Sequence, residues 1–251
     1  AGRSVLIGAV NHGIGAARAE YLAILNNDVE PGPGWLEKLL AAAGQPGVWF
    51  ATGKILNARR RESIDATFDI ICRGACSWRA GHGRGDSIEW GQPQPVQLVP
   101  FTAAVFRAEL FRRVGLLDER FESYLEDVDF GLRSAAAGLA GAYVPDAVAF
   151  HQGSATLGAW HRDTVRRISR NQVLLVAKHF PRGWVWRYGW PVVVAQGAWG
   201  LVAARHGRGR HEGRESGQAV ISGATRENLA QGVRRNWASR RDASTPGSRR
   251  A

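Results

Sequence analysis

Methionine is missing from all 251 residues, the first position included. The chain is therefore expected to be a fragment or a processed form whose N-terminus lies upstream of Ala1. No charged-then-apolar leader stands at its start, so no signal peptide is read there. Cysteine is nearly missing as well, with Cys72 and Cys76 the only two. Their C-x₃-C spacing, with His82 nearby, lacks the second pair that a structural zinc site needs, and it excludes a disulfide scaffold. The expectation is a pair of thiols in a reducing cytosol. Long apolar runs are scarce too. The uncharged stretch 188–204 holds 17 residues, but Pro191, Gln196 and three glycines interrupt it. A membrane span needs roughly 17–25 predominantly apolar residues, so a comfortable crossing is not expected.

What is present describes a globular protein, with 45% hydrophobic and 22% charged residues and a net charge of +11. A chain of this length buries one substantial core and leaves some residues for an appendage. The charge is uneven. Residues 201–251 carry eleven arginines against Glu212, Glu215, Glu227 and Asp242, which leaves +7 in that segment and +4 in the first 200 residues. A basic tail suits anionic lipid or nucleic acid. The last stretch, 238–251, is rich in Arg, Ser and Pro and is read as a solvated, disordered end.

Apolar periodicity and turn residues organise the rest. Residues 10–18 read as a short helix, and Tyr21 to Leu25 as a buried strand. Pro31-Gly32-Pro33-Gly34 reads as a turn, with a helix carrying Trp35, Leu36, Leu39 and Leu40 behind it. Strand-like runs follow at 48–55, 96–106 and 142–150, the last leading into His151. Helices are read at 108–114, 127–137 and 162–179, stopped near Gly115, Gly138 and Pro181. Residues 57–97 turn polar, Gly-rich and Arg-rich, which predicts irregular structure or a hairpin over a site. Its Arg84-Gly85-Asp86 triplet is read as chance. Strands alternating with helices predict an α/β fold with a mostly parallel sheet.

Two acidic stretches stand out against this background. Asn26-Asn27-Asp28 closes the first strand, and a carboxylate at a strand's carboxyl end can hold a divalent cation at the rim of an open sheet. Alone, these residues would read as an Asx turn after a strand. Glu126-Asp127-Val128-Asp129 opens a helix, whose dipole favours carboxylates at that end. One site would bind a metal–phosphate, and the other would take a proton from an attacking hydroxyl.

With the segments placed, a family resemblance emerges. Asn11-His12-Gly13-Ile14, Glu20 to Asp28, Pro33-Gly34-Trp35-Leu36 and Val114-Gly115-Leu116-Leu117-Asp118-Glu119 resemble family-2 glycosyltransferases. So do Tyr124 to Asp129, Arg133, the strand ending in His151, and Arg170-Asn171. The likeness spans roughly residues 5–180, in the family's order and spacing. It leans toward a bacterial rhamnosyltransferase-like branch acting on cell-surface polysaccharides. It implies a GT-A fold, a nucleotide-sugar donor, Mg²⁺ or Mn²⁺, and inversion at the anomeric carbon. It also implies that the family's first strand and helix would lie before Ala1.

The resemblance assigns roles. Asp127 would be the general base, with the neighbouring Glu126 holding the acceptor or tuning the base. Asp28 takes the last place of a D-x-D-like element in which Asn26 replaces the first aspartate. Asp28 and His151 would ligate the metal, and an imidazole is competent for that. Asn11, Asn26, Asn27, Asp28, Thr102, Ala103 and Arg170 would line the donor. Arg133 is read as an ion-pair partner that fixes the 126–129 turn. The expected organisation is a catalytic domain at 1–181, a helical Trp/Arg-rich appendage at 182–237, and the tail at 238–251.

Within the appendage, Trp184, Trp186, Trp190 and Trp199 stand among Val and Ala, with Arg182, Arg187 and Arg205 at the flanks. This layout predicts a helix at a membrane interface before a core helix. The expected partners are a nucleotide-sugar donor, a glycan or lipid-linked acceptor and an anionic membrane touched peripherally from the cytoplasm. No specific nucleic acid is expected, because the excess charge is terminal and no nucleic-acid module is recognisable in residues 1–200. A basic nucleic-acid-binding protein and a metal-dependent phosphoesterase using Asp28 and His151 are the competing readings.

Overall fold

The computed structural model describes residues 5–152, 161–181, 183 and 189–208. These fall into two compact units, 1–72 with 77–157, and 73–76 with 158–251. The first unit orders its elements as α1 (Val5–Ala16), β1 (Tyr21–Leu25), β2 (Val29–Pro31), α2 (Trp35–Ala43) and β3 (Val48–Asn57). The short strands β4 (Ile64–Ala66), β5 (Asp69–Ile71), β6 (Ser77–Arg79) and β7 (Gln94–Val96) follow. It closes with β8 (Ala103–Arg107), α3 (Ala108–Val114), α4 (Glu126–Ala136) and β9 (Ala140–His151).

The main sheet runs β1-β8-β3-β9-β2, with β4 on β3 and β7 on β9. Among the described residues only β3 and β9 pair in parallel; every other ladder is antiparallel. This corrects the expectation of a mostly parallel sheet. The cause is β8, which follows a long insertion rather than a helix and returns between β1 and β3, antiparallel to both. Because β8 reverses between them, β1, β3 and β9 still share one direction. Their carboxyl ends carry Asn26–Asp28, Asn57 and His151.

Side-chain alternation along β8 divides the core into two layers. Ala103 and Val105 join Ala51, Ile55, Ala147 and Ala149 beneath Trp35, Leu39 and Ala43 of α2. Phe106 points the other way, into Phe101, Phe111 and Phe130 with ring centroids 4.7–6.1 Å apart. This aromatic layer seats α3 and α4 and so fixes the start of α4. Gly141 is required where β9 passes β3, since a Cβ there would fall inside the Phe50 ring.

The insertion at 57–97 holds a hairpin, as expected. Asp69↔Arg79 and Ile71↔Ser77 alternate with Ile70↔Trp78 along β5–β6. Asp69 is buried, while Ile70 and Trp78 face solvent. Asp86 of the Arg84-Gly85-Asp86 triplet accepts from Lys54 Nζ at 2.7 Å, a structural ion pair.

The second unit contains α5 (Arg162–His179) and α6 (Trp190–Arg208). The two helices are joined by Trp199 Nε1, which donates to Ser169 Oγ at 3.0 Å. The unit boundary near residue 157 puts α5 with α6, whereas the sequence suggested a break at 181. Among the described residues, no helix is long and apolar enough to cross a membrane. Trp184, Trp186 and the 238–251 segment lie outside the described residues.

Candidate active site

The carboxyl ends of the co-directional strands gather one half of the site. β2 pairs with β9 in the register Val29↔His151, and Gln152 N donates to Asp28 O at 3.1 Å. That register sets Asp28 beside His151, with Asp28 Oδ1 3.3 Å from Nε2. The ring's other nitrogen, Nδ1, lies 2.8 Å from Asp65 Oδ2, and both side chains are buried. Arg79 continues the chain of contacts, donating to Asp65 Oδ2 at 3.1 Å and to Thr102 Oγ1 at 3.0 Å. Burial pushes the Asp65 carboxyl up, but the His151 hydrogen bond and the Arg79 charge outweigh it and hold the group below the usual range.

Asp28 and His151 fit a divalent cation as a pair. Two adjacent ligands of one ion, each about 2.0–2.2 Å from it, can keep a separation of the kind seen here. Among the described residues no three acidic, histidine or cysteine side chains form a self-sufficient ion cage. The remaining ligands of such an ion would be water and the phosphate oxygens of a substrate, as is usual for Mg²⁺.

The start of α4 supplies the other half. Glu122, Tyr124 and Leu125 all take positive φ, 63°, 71° and 67°, just before Glu126. Three left-handed non-glycine residues in four store backbone strain of a kind that clusters at functional sites. They lead directly into Glu126 and Asp127, the first residues of α4. Asp127 Oδ1 accepts from Val128 N at 2.8 Å. Glu126 Oε2 is buried with no hydrogen-bond partner.

Asp69 joins these two carboxylates. Burial, then repulsion from Asp127, lifts Asp69 well above the usual range. Burial and the Asp127 charge push Glu126 up to about 8. Burial raises Asp127 as well, against the Arg79 charge and backbone N–H donors of Val128 and Phe101. Backbone N–H donors and the Arg79 charge oppose the upward shift at Asp127, whereas at Asp69 and Glu126 burial and the neighbouring Asp127 carboxylate act in the same upward direction. Environments that push neighbouring carboxyls apart assign them different jobs.

The other sequence-predicted residues are dispersed. Asn26 and Asn27 are exposed in the β1–β2 turn, and Asn26 N donates to Thr102 O at 2.9 Å. Thr102 is buried under Arg79, and Ala103 is the fully buried first residue of β8. Asn11 is engaged elsewhere: its Nδ2 donates to Leu117 O and its Oδ1 accepts from Leu117 N, both at 2.9 Å. Its amide therefore ties α1 to the loop after α3. Arg170 belongs to the second unit, where it donates to Asn171 Oδ1 at 2.9 Å. Arg133 pairs with Asp129 at 3.1 Å as expected, and also donates to the carbonyls of Val114, Gly115 and Leu116 at the end of α3.

Asp65, Asp69 and Arg79 were missed by the sequence reading. Their signal was faint: two carboxylates four residues apart, Ile64-Asp65 and Phe68-Asp69, each beside an apolar residue within an otherwise Gly/Arg-rich stretch.

Residues 2–115 match the family model described as glycosyl transferase family 2. The chain is 30% identical over 157 residues to a pre-mycofactocin glycosyltransferase of Mycobacterium tuberculosis, covering 60% of this chain and 30% of that one. It is 28% identical over 185 residues to the N-acetylglucosaminyl-diphospho-decaprenol L-rhamnosyltransferase of the same organism, covering 67% of this chain and 58% of the relative. The chain thus spans less than two thirds of the length of either relative. The structure of GalNAc-T7 with UDP, GalNAc and Mn²⁺ superposes with a TM-score of 0.50 at 16% identity, over 66% of this chain and 34% of that one.

Proposed function

We propose that this chain, which belongs to glycosyltransferase family 2 and has the GT-A fold, transfers a hexose or deoxyhexose such as rhamnose from a nucleotide-sugar to a surface-glycan or lipid-linked acceptor, with inversion. The observation that carries the reading is Arg79. One guanidinium is bonded to Asp65, behind the Asp28–His151 pair, and its charge acts on Asp127 and Glu126 at the start of α4. In this reading Arg79 links a phosphate-binding half to a proton-accepting half.

Asp28 and His151 would hold Mg²⁺ or Mn²⁺, which when bound neutralises the departing diphosphate. Thr102 and the Asn26–Asp28 turn would border the donor sugar. The acceptor hydroxyl attacks the anomeric carbon as the bond from that carbon to the phosphate oxygen breaks. The electron pair of that bond leaves with the nucleoside diphosphate, and the hydroxyl proton passes to Asp127. Glu126, neutral and with an unpartnered oxygen, is suited to donate a hydrogen bond to the acceptor.

A lipid-linked acceptor fits the relative whose name carries decaprenol, and it fits α6. Trp190, Val193, Val194, Leu201 and Val202 are exposed on α6, ahead of Arg205 and the basic segment that follows. That face is suited to lie in an anionic cytoplasmic leaflet without crossing it.

The test is transfer itself. Purified protein with Mn²⁺, a panel of nucleotide-sugars and polyprenyl-diphosphate sugar acceptors should yield an acceptor heavier by one sugar in mass spectra. Hydrolysis of donor with no transfer to any alcohol would favour a phosphoesterase instead.

A further inference from the structure

We propose that Asp65 is a positioning residue that fixes the orientation and tautomer of His151. Its place in the sheet is the first reason. Ile55 and Leu56 are adjacent on β3, yet their partners Ala66 and Ile64 are separated by Asp65 on β4. Asp65 is therefore the extra residue of a β-bulge, a device that leaves one residue unpaired and re-aims its side chain. In a regular β4 ladder, Asp65 would alternate in step with its neighbours and lose this aim.

The contacts are the second reason. The re-aimed carboxylate meets His151 Nδ1 at 2.8 Å, and each side chain is only 7% exposed. The carboxylate is itself held, since Arg79 binds the same Oδ2 at 3.1 Å. The Asp65 backbone is held as well, with His82 Nδ1 2.7 Å from its carbonyl oxygen. An ionised carboxylate only accepts hydrogen bonds, so the Nδ1 that meets it carries a proton. The opposite tautomer would bury two acceptors against each other. The Nδ1–H form leaves the Nε2 lone pair facing Asp28 Oδ1 at 3.3 Å, two acceptors whose opposition a bound cation would relieve. Carboxylates behind ligating histidines act in this way at many metal centres. The consequence for cation binding rests on the function proposed above; the tautomer does not.

The experiment uses the full chain with isotope-labelled histidine, read by long-range proton–nitrogen correlation at about pH 8. His151 is assigned by the signal lost in His151→Gln. The wild-type ring is expected as the Nδ1–H form. Asp65→Ala should release it toward the Nε2–H form and weaken binding of Mn²⁺ alone by about 10–100-fold. Asp65→Asn, nearly isosteric, should fall between the two and covers the case in which the alanine variant does not fold. A wild-type ring in the Nε2–H form, or a tautomer unchanged in both variants, would overturn the proposal. Failure of wild-type protein to bind Mn²⁺ would count against the cation reading, while the tautomer would still decide the role of Asp65.

Discussion

Asp28 Oδ1 lies 3.3 Å from His151 Nε2 because β2 and β9 pair in the register Val29↔His151. Two residues far apart in sequence thus become neighbours through a short edge strand that starts immediately after Asp28. If both ligate one cation, Asp28→Ala and His151→Ala should each weaken Mn²⁺-dependent nucleoside diphosphate binding, on the order of tenfold or more. The double variant should lose little beyond either single one, because groups that share one ion are not additive. Calorimetric titration with and without Mn²⁺ checks this. Metal-dependent affinity that survives both substitutions would sink the assignment.

Asp127→Asn should abolish turnover and leave donor affinity within a few-fold of wild type. The amide keeps the hydrogen bond from Val128 N but has no basicity with which to take the acceptor proton. Loss in kcat with unchanged donor binding is the signature of a group needed only in the transition state. Near-normal turnover would remove Asp127 as the base.

Asn11→Ala separates a structural role from a donor contact. The substitution strips partners from both backbone groups of the buried Leu117. Leaving buried polar groups unsatisfied costs about 1–3 kcal/mol. Thermal unfolding should move down by several degrees, while the KM for donor stays near wild type. A raised KM with unchanged stability would return Asn11 to the donor site.

Local pattern and capping residues made much of this legible in sequence. The helices expected at 108–114 and 162–179 match α3 and α5, since Gly115, at φ 82°, and Pro181 give sharp stops. His151 was found because a long apolar strand ends on it. Strand direction was not legible: nothing in the Ala103–Arg107 segment says that it will run antiparallel between β1 and β3. Asp65 was hidden for a related reason. A bulge is a property of two strands together, and the Ile55/Leu56 register shift that aims Asp65 leaves no mark in either segment alone.

Glu126→Gln tests the electrostatics of the site through stability. Burial and the Asp127 charge push the Glu126 carboxyl up to about 8, from an ordinary value near 4.5. Between those values the folded chain binds a proton that the unfolded chain has lost. Stability therefore falls as pH rises through that window, by up to ~1.4 kcal/mol per pH unit for one fully titrating group. Below the window both states are protonated and the effect vanishes. Glutamine keeps the shape, stays neutral at every pH and relieves the repulsion on Asp127. The variant should melt higher than wild type at pH 8.5, and the gap should close by about pH 5. Activity should move the other way if Glu126 contacts the acceptor as a carboxyl donor, with acceptor KM raised and donor KM unchanged. Melting curves that run parallel from pH 5 to 8.5 would mean that Glu126 titrates normally, and the division of labour between Glu126 and Asp127 would fall with it.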